Sequence, residues 1–269
     1  MTTIRLALLA TAAFAFPAVP AMAQQTVSAG ASTTAAAQSA HDRLHGLFAD
    51  ADARELALNP LGRLFRGDDR DADRLGDFLT DSQWIAARTD TQLNLALLAQ
   101  IDRAALNETD QLAYDVFKYQ QETNLAGQSD EIRELTEVRP INHFSGFHTF
   151  YPNFASGDSA ARFKTLAHYE DNLKRHDDYI VITDRAIARS RDGMASGVVE
   201  TRLTIDRTIK QLDTLLAVPQ AESMFMKPAK NFPAEFSDAD KARLTAAYEA
   251  KTAQLYAAHI RLRDFLRDE

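Results

Sequence analysis

Two histidines stand four residues apart in the run His41-Asp42-Arg43-Leu44-His45. On a helix that spacing projects both rings from one face, the arrangement with which a pair of imidazoles grips zinc. A metallopeptidase of the His-Glu-x-x-His kind also needs Glu after the first His as general base. Asp42 stands there instead, one methylene shorter. The pair also follows a stretch that reads as linker. The residues alone therefore favour a solvated helix face over a metal site, and no stoichiometric zinc is expected in this chain.

A second run, Asp68-Asp69-Arg70-Asp71-Ala72-Asp73, has the acidic density of a calcium loop. With Asp69 as first ligand, the required Gly falls on Arg74 and the required Glu on Thr80. Both positions fail, which leaves a polar turn with local Arg–Asp pairing. His168 and His176 are eight apart, so on a helix they lie two turns and about 80° from each other. That is too far to share a metal, and they read as surface or groove residues. No G-x-S-x-G, Walker A or G-x-G-x-x-G motif occurs, and no catalytic residue can be named.

The stretch richest in binding chemistry is Pro140 to Phe154, PINHFSGFHTFYPNF. It combines two histidines and five aromatic rings with no Asp, Glu, Lys or Arg. Two readings stand open. One is a packed loop whose rings fill a core and whose histidines satisfy backbone carbonyls. The other is a cleft wall in which Asn142, His143, Gly146, His148 and Tyr151 meet a substrate. There the rings offer stacking surface, and Gly146 admits a close approach of the backbone. With neither nucleophile nor metal set, such a wall binds rather than catalyses.

The elements that must carry these residues are helices. The pattern predicts an all-α fold, an irregular bundle of long helices with no substantial β-sheet. Asp81-Ser82 can cap a helix bearing Trp84, Ile85, Leu93, Leu97, Leu98 and Ile101. Asn107 can cap the next, where Leu112, Val116 and Tyr119, extended by Thr123, mark a face at helical spacing and Gly127 suits its end. Asp158-Ser159 is expected to open a long helix. In it Leu166, Leu173, Ile180 and Ile187 recur every seven residues, extended by Phe163 and stopped by Gly193 and Gly197. Ile205, Ile209, Leu212 and Leu216 mark another helix, ended by Pro219. After a Met- and Phe-rich loop from Pro219 to Pro233, Ser237-x-x-Asp240 caps a last helix with Leu244, Leu255, Leu262 and Phe265 on one side. That helix carries no stop signal. The heptad stripe and the face of Leu255, Leu262 and Phe265 are expected to need cover from outside the chain, with 140–154 beside the open face.

The first residues, MTTIRLALLATAAFAFPAVPAMAQQ, read as a secretory signal peptide over 1–23, with Arg5, a short apolar core and an Ala21-Met22-Ala23 cleavage site. Residues 24–40 are small and polar and read as a flexible linker, and 41–269 as the helical domain. A periplasmic or secreted protein is expected, with no membrane contact after signal cleavage. There is no cysteine, which excludes disulfides, thiolate metal sites and a cysteine nucleophile. The net charge of -8 argues against nucleic acid as a partner.

Several weak motifs in order then resemble one bacterial family, domain of unknown function 885. They are Asp158 to Ser190 as a long helix, Gly193-x-x-x-Gly197 running on to Ile205 and Gln211-Leu212, and Ile141, Asn142 and Gly146 as Ile-Asn-x-x-x-Gly. The resemblance spans about residues 40 to 269. It implies an exported or lipid-anchored, all-helical, zinc-metallopeptidase-like protein whose His-Glu-x-x-His helix lies in a C-terminal half. This chain has no His-Glu dipeptide and resembles the N-terminal half only. What the resemblance implies is the helical part of an exported hydrolase, inactive alone. Its partners would be a missing C-terminal half and a peptide substrate, and zinc would be held only in that other half. The alternative is a non-enzymatic periplasmic binding or scaffold domain.

Overall fold

Eight helices open on a side-chain oxygen that accepts the N–H three residues on. The caps are Ser39, Asn59, Thr80, Asn107, Ser129, Thr165, Thr201 and Ser237. Each satisfies one of the orphan donors of a first turn, so the chain sets its helix starts locally. The computed structural model describes residues 38–269. The signal peptide expected over 1–23 and the linker residues before 38 lie outside the described residues.

The helices are α1 (Ala40–Leu58), α2 (Pro60–Phe65), α3 (Asp81–Leu98), α4 (Glu108–Gly127), α5 (Asp130–Thr136), α6 (Phe147–Ala155), α7 (Leu166–Ser196), α8 (Arg202–Leu216), α9 (Lys227–Lys230) and α10 (Asp238–Asp268). No strand occurs among the described residues, so the fold is all-α. No described helix is long and apolar enough to cross a membrane.

Two groups of helices pack by different chemistry. In the first, α1, α3 and α4 run up, down and up. Leu44, Leu47, Leu98, Ile101 and Leu106 seal one end of this group. Its middle is polar: Arg54 meets Asp90 and Asn94, and the Asn94 amide donates to Gln121 at 3.3 Å. In the second group, α7 and α10 have 31 residues each, about 46 Å at 1.5 Å per residue. Their partners rise together in number, Glu170 with Arg243, Asp177 with Lys251, Asp184 with Arg261 and Arg191 with Glu269. The two helices are therefore parallel. α8 returns antiparallel beside α10, where Asp213 meets Arg267 and the Tyr256 hydroxyl donates to the Val218 carbonyl.

Several expectations need correction. The long helix starts at Leu166 on a Thr165 cap, not at Asp158-Ser159, and Phe163 lies before it. Gly193 lies inside that helix, and Gly197 ends it in the left-handed region at φ 79°. Leu166, Leu173 and Ile180 are only partly buried. The deepest face of α7 is Tyr169, Asn172, Arg175, His176, Tyr179, Ile182 and Thr183. On α4 the apolar stripe points outward, with Leu112, Val116 and Tyr119 exposed while Asp110 and Gln121 are buried. On α3 Ile85 and Leu93 are exposed and Asn94 is buried, although Leu98 and, just beyond the helix, Ile101 face the core. The reason is the polar middle of that group, where amides, an arginine and carboxylates pair across the interface. The last helix needs no outside cover for the residues named. Leu255, Leu262 and Phe265 are buried, the last two with Ile141, Ala186, Ile187 and Leu212.

Candidate functional site

The segment 140–154 divides into an exposed turn and a buried helix. Asn142 folds the turn by accepting the N–H of Phe144 at 3.0 Å and of Ser145 at 2.8 Å. That is an Asx-type turn, which a short amide side chain makes at little cost. Phe144 stands 85% exposed at its tip, with the His143 ring 4.1 Å away. Gly146 then caps α6. A Cβ there would lie 2.4 Å from the Asn142 carbonyl oxygen and 2.7 Å from the His148 ring. The close approach expected at Gly146 is thus made by the chain itself.

Behind the turn, His148 and Tyr151 face inward. His148 Nε2 lies 2.9 Å from Gln211 Oε1, and Gln211 Nε2 donates to the His143 carbonyl at 2.9 Å. One amide on α8 thereby fixes both ends of the turn. Tyr151 has no exposed surface. Its hydroxyl and His176 Nδ1 share a hydrogen bond of 2.8 Å, and its ring stacks on Tyr179 with centroids 4.1 Å apart and planes 7° apart. Tyr179 in turn shares a hydrogen bond of 2.8 Å with His259 Nε2 on α10.

A polar network continues along the α7–α10 seam. The Asn172 amide nitrogen donates to the Tyr248 hydroxyl at 3.1 Å, and the Tyr248 hydroxyl donates to the Tyr169 carbonyl at 3.2 Å. The Arg175 guanidinium, 2% exposed, donates to Asn172 Oδ1 at 3.1 Å and to the Ala72 carbonyl, and lies over the Phe154 ring at 5.5 Å. Burial drives every titratable group in this network toward its neutral form. It pushes His176 down to about 3, His259 down to about 4 and His148 down as well, while the phenols of Tyr151, Tyr179 and Tyr248 are pushed up. Neutral imidazoles and phenols joined in pairs, out of contact with water, hold helices together rather than transfer protons to a substrate.

The structure therefore brings all five expected site residues into one neighbourhood but presents them unequally. Asn142 and His143 are half-buried beside the exposed Phe144, and Gly146, His148 and Tyr151 are buried. His176, read as a surface or groove residue, is 1% exposed and central to the network. The sequence signal for it was present: Tyr169, Asn172, His176, Tyr179 and Thr183 fall at helical spacing.

Next to the turn lies an apolar groove of about 310 Å³ where α7, α8 and α10 meet, with Val138, Ile141, Met194, Val199, Phe265 and Leu266 on its walls. Gly193 lets the backbone cross there, since a Cβ would meet the Val198 and Val138 carbonyl oxygens at 2.4 and 2.9 Å.

Among known families, residues 60–269 match the model described as "Bacterial protein of unknown function (DUF885)". The chain belongs to this family. DUF885 thus covers the helical domain from α2 onward, while α1 precedes the matched residues. No curated protein matches the chain. Among solved structures, "The crystal structure of the putative lipoprotein from Colwellia psychrerythraea" superposes with a TM-score of 0.65 at 16% identity. The match covers 85% of this chain and 41% of that one. At that identity the likeness shows a shared fold, and the chain spans less than half the length of this structural relative.

Proposed function

We propose that this chain is the N-terminal helical part of an exported, zinc-peptidase-like hydrolase, with no peptidase activity of its own. The observation that carries this reading is the length relation. A DUF885 chain with the same fold over 85% of its residues accounts for only 41% of its solved relative. In the whole hydrolase a metal-bound water would attack a peptide carbonyl. Its zinc ligands and general base would come from polypeptide beyond this chain. This part would supply a wall for the substrate, formed by the turn of Asn142, His143 and Phe144. The apolar groove between Val138, Met194 and Phe265 would receive the rest of the protein. Met194 and Val199 are 43% and 55% exposed beside it, and apolar side chains of that size gain from cover.

The test compares the 269-residue chain with a version extended through the downstream coding sequence. Expected are zinc-dependent cleavage of unstructured peptides by the extended protein only, and loss of its cooperative melting when Met194 is changed to Asp. An extended protein that cleaves no peptide with zinc supplied would overturn the reading. A helical scaffold or binding domain would then take its place.

A further inference from the structure

At the N-terminal ends of α1 and α4, far in sequence from the turn at 142–145, three metal-ligating side chains converge. His41 Nδ1 lies 2.8 Å from Asp110 Oδ2, and His45 Nε2 lies 3.0 Å from Asp110 Oδ1. One donor atom from each of the three lies within 4.8 Å of the others. We infer that His41, His45 and Asp110 form a binding site for a borderline divalent transition ion, Zn²⁺ foremost. This inference is independent of the peptidase reading above.

The two histidines project from one face of α1 because they are four apart, and Leu44 between them anchors that face in the core with no exposed surface. The packing of α1 on α4 brings the carboxylate to them from 65 residues away. Asp110 is itself held. Its N–H donates to Asn107 Oδ1 at 2.9 Å, and Asn107 Nδ2 donates to Asp110 Oδ2 at 2.7 Å. That is the outer-shell partner that orients a ligating carboxylate. The carboxylate is 4% exposed, while the imidazoles are about half exposed and free to turn.

Size and donor chemistry agree with a metal of this class. Around zinc, with bonds of 2.0–2.1 Å to nitrogen and oxygen, neighbouring donors stand about 3.3 Å apart. An ion at the centre would widen the two short contacts by a few tenths of an ångström, which the exposed rings can accommodate. Two imidazoles and one carboxylate suit Zn²⁺, Ni²⁺ or Cu²⁺, whereas Mg²⁺ and Ca²⁺ require oxygen donors. The proton on each Asp-facing ring nitrogen moves to the other nitrogen of the same ring or leaves to solvent as the ion enters. Water completes the coordination at the exposed side. The ion would join α1 to α4 where Asp42 had suggested only a failed peptidase motif.

The experiment is titration of the untagged 269-residue chain, stripped with chelator, with Zn²⁺ and separately with Mg²⁺, followed by calorimetry and by metal analysis after dialysis. One Zn²⁺ per chain is expected, with a rise in melting temperature at saturation and no response to Mg²⁺. His41→Gln and His45→Gln, both at exposed positions that keep the fold, should each weaken Zn²⁺ binding by at least about tenfold. His168→Gln serves as the control and should leave it unchanged. Absence of a zinc equivalent, or full binding retained by His45→Gln, would overturn the site.

Discussion

Tyr151 and His176 share a hydrogen bond of 2.8 Å between two helices, and neither side chain reaches solvent. It joins the short helix of the 140–154 segment to one of the two longest helices of the bundle. Removing the phenol oxygen leaves His176 Nδ1 buried without a partner. Tyr151→Phe should therefore cost about 1–3 kcal/mol, read as a lower denaturant midpoint with unchanged helical circular dichroism. An unchanged midpoint would mean that the bond contributes nothing net.

Acid should destabilise the protein through its buried histidines. His176 and His259 titrate at about 3 and about 4 in the folded chain, against an ordinary value near 6.5. Above pH 6.5 both rings are neutral whether the chain is folded or not, and the stability they permit is fully present. Below it the unfolded chain takes up protons that the folded chain refuses. Stability then falls by about 1.4 kcal/mol per pH unit for each histidine, until the folded values are reached. Denaturant melts from pH 7 to 4 should show this slope, and His259→Gln should reduce it.

Gly146→Ala should be disruptive at a position that looks like ordinary loop. The added Cβ would strike the Asn142 carbonyl oxygen and the His148 ring. Overpacking of this kind costs about 1–3 kcal/mol. Thermal melting would show it, as would line broadening of the Phe144 amide in an NMR spectrum.

Leu255 and Leu112 should behave oppositely although both lie on predicted apolar stripes. Leu255 has no exposed surface, so Leu255→Ala should cost about 2–5 kcal/mol. Leu112 is 65% exposed, so Leu112→Gln should change stability by no more than about 0.5 kcal/mol. Equal effects in chemical denaturation would contradict these assignments.

Helix existence, most caps and the buried face of α10 were legible in the sequence because each rests on local chemistry. Asn107 and Ser237 cap where their side chains suggest, and Leu244, Leu255, Leu262 and Phe265 face inward. The start of α7 was not legible, since Asp158 and Ser159 offer the same signal as Thr165. The inward face of α4 was hidden because its burial depends on partners far along the chain, Gln121 with Asn94 and Asp110 with His41 and His45. Within 140–154, His148 and Tyr151 pack, while Asn142 and Phe144 shape an outer turn. A single run of residues cannot show which side of it the core will occupy.

The pairs along α7 and α10 also act as a vernier. Glu170, Asp177, Asp184 and Arg191 fall every seventh residue, facing Arg243, Lys251, Arg261 and Glu269. Each exposed pair contributes little on its own, about 0–1 kcal/mol. The last mark, however, has its sign reversed. If α10 slid one step along α7, Arg191 would meet Arg261, or Asp184 would meet Glu269, and like charges would oppose each other. Two parallel helices with an aromatic and hydrogen-bonded seam therefore carry a code on their outer edge that admits one alignment. Exchanging Arg191 and Glu269 for each other would keep the native pair but remove the reversed sign, so slipped alignments would no longer oppose like charges, whereas reversing Arg191 alone would set two carboxylates against each other in the native alignment.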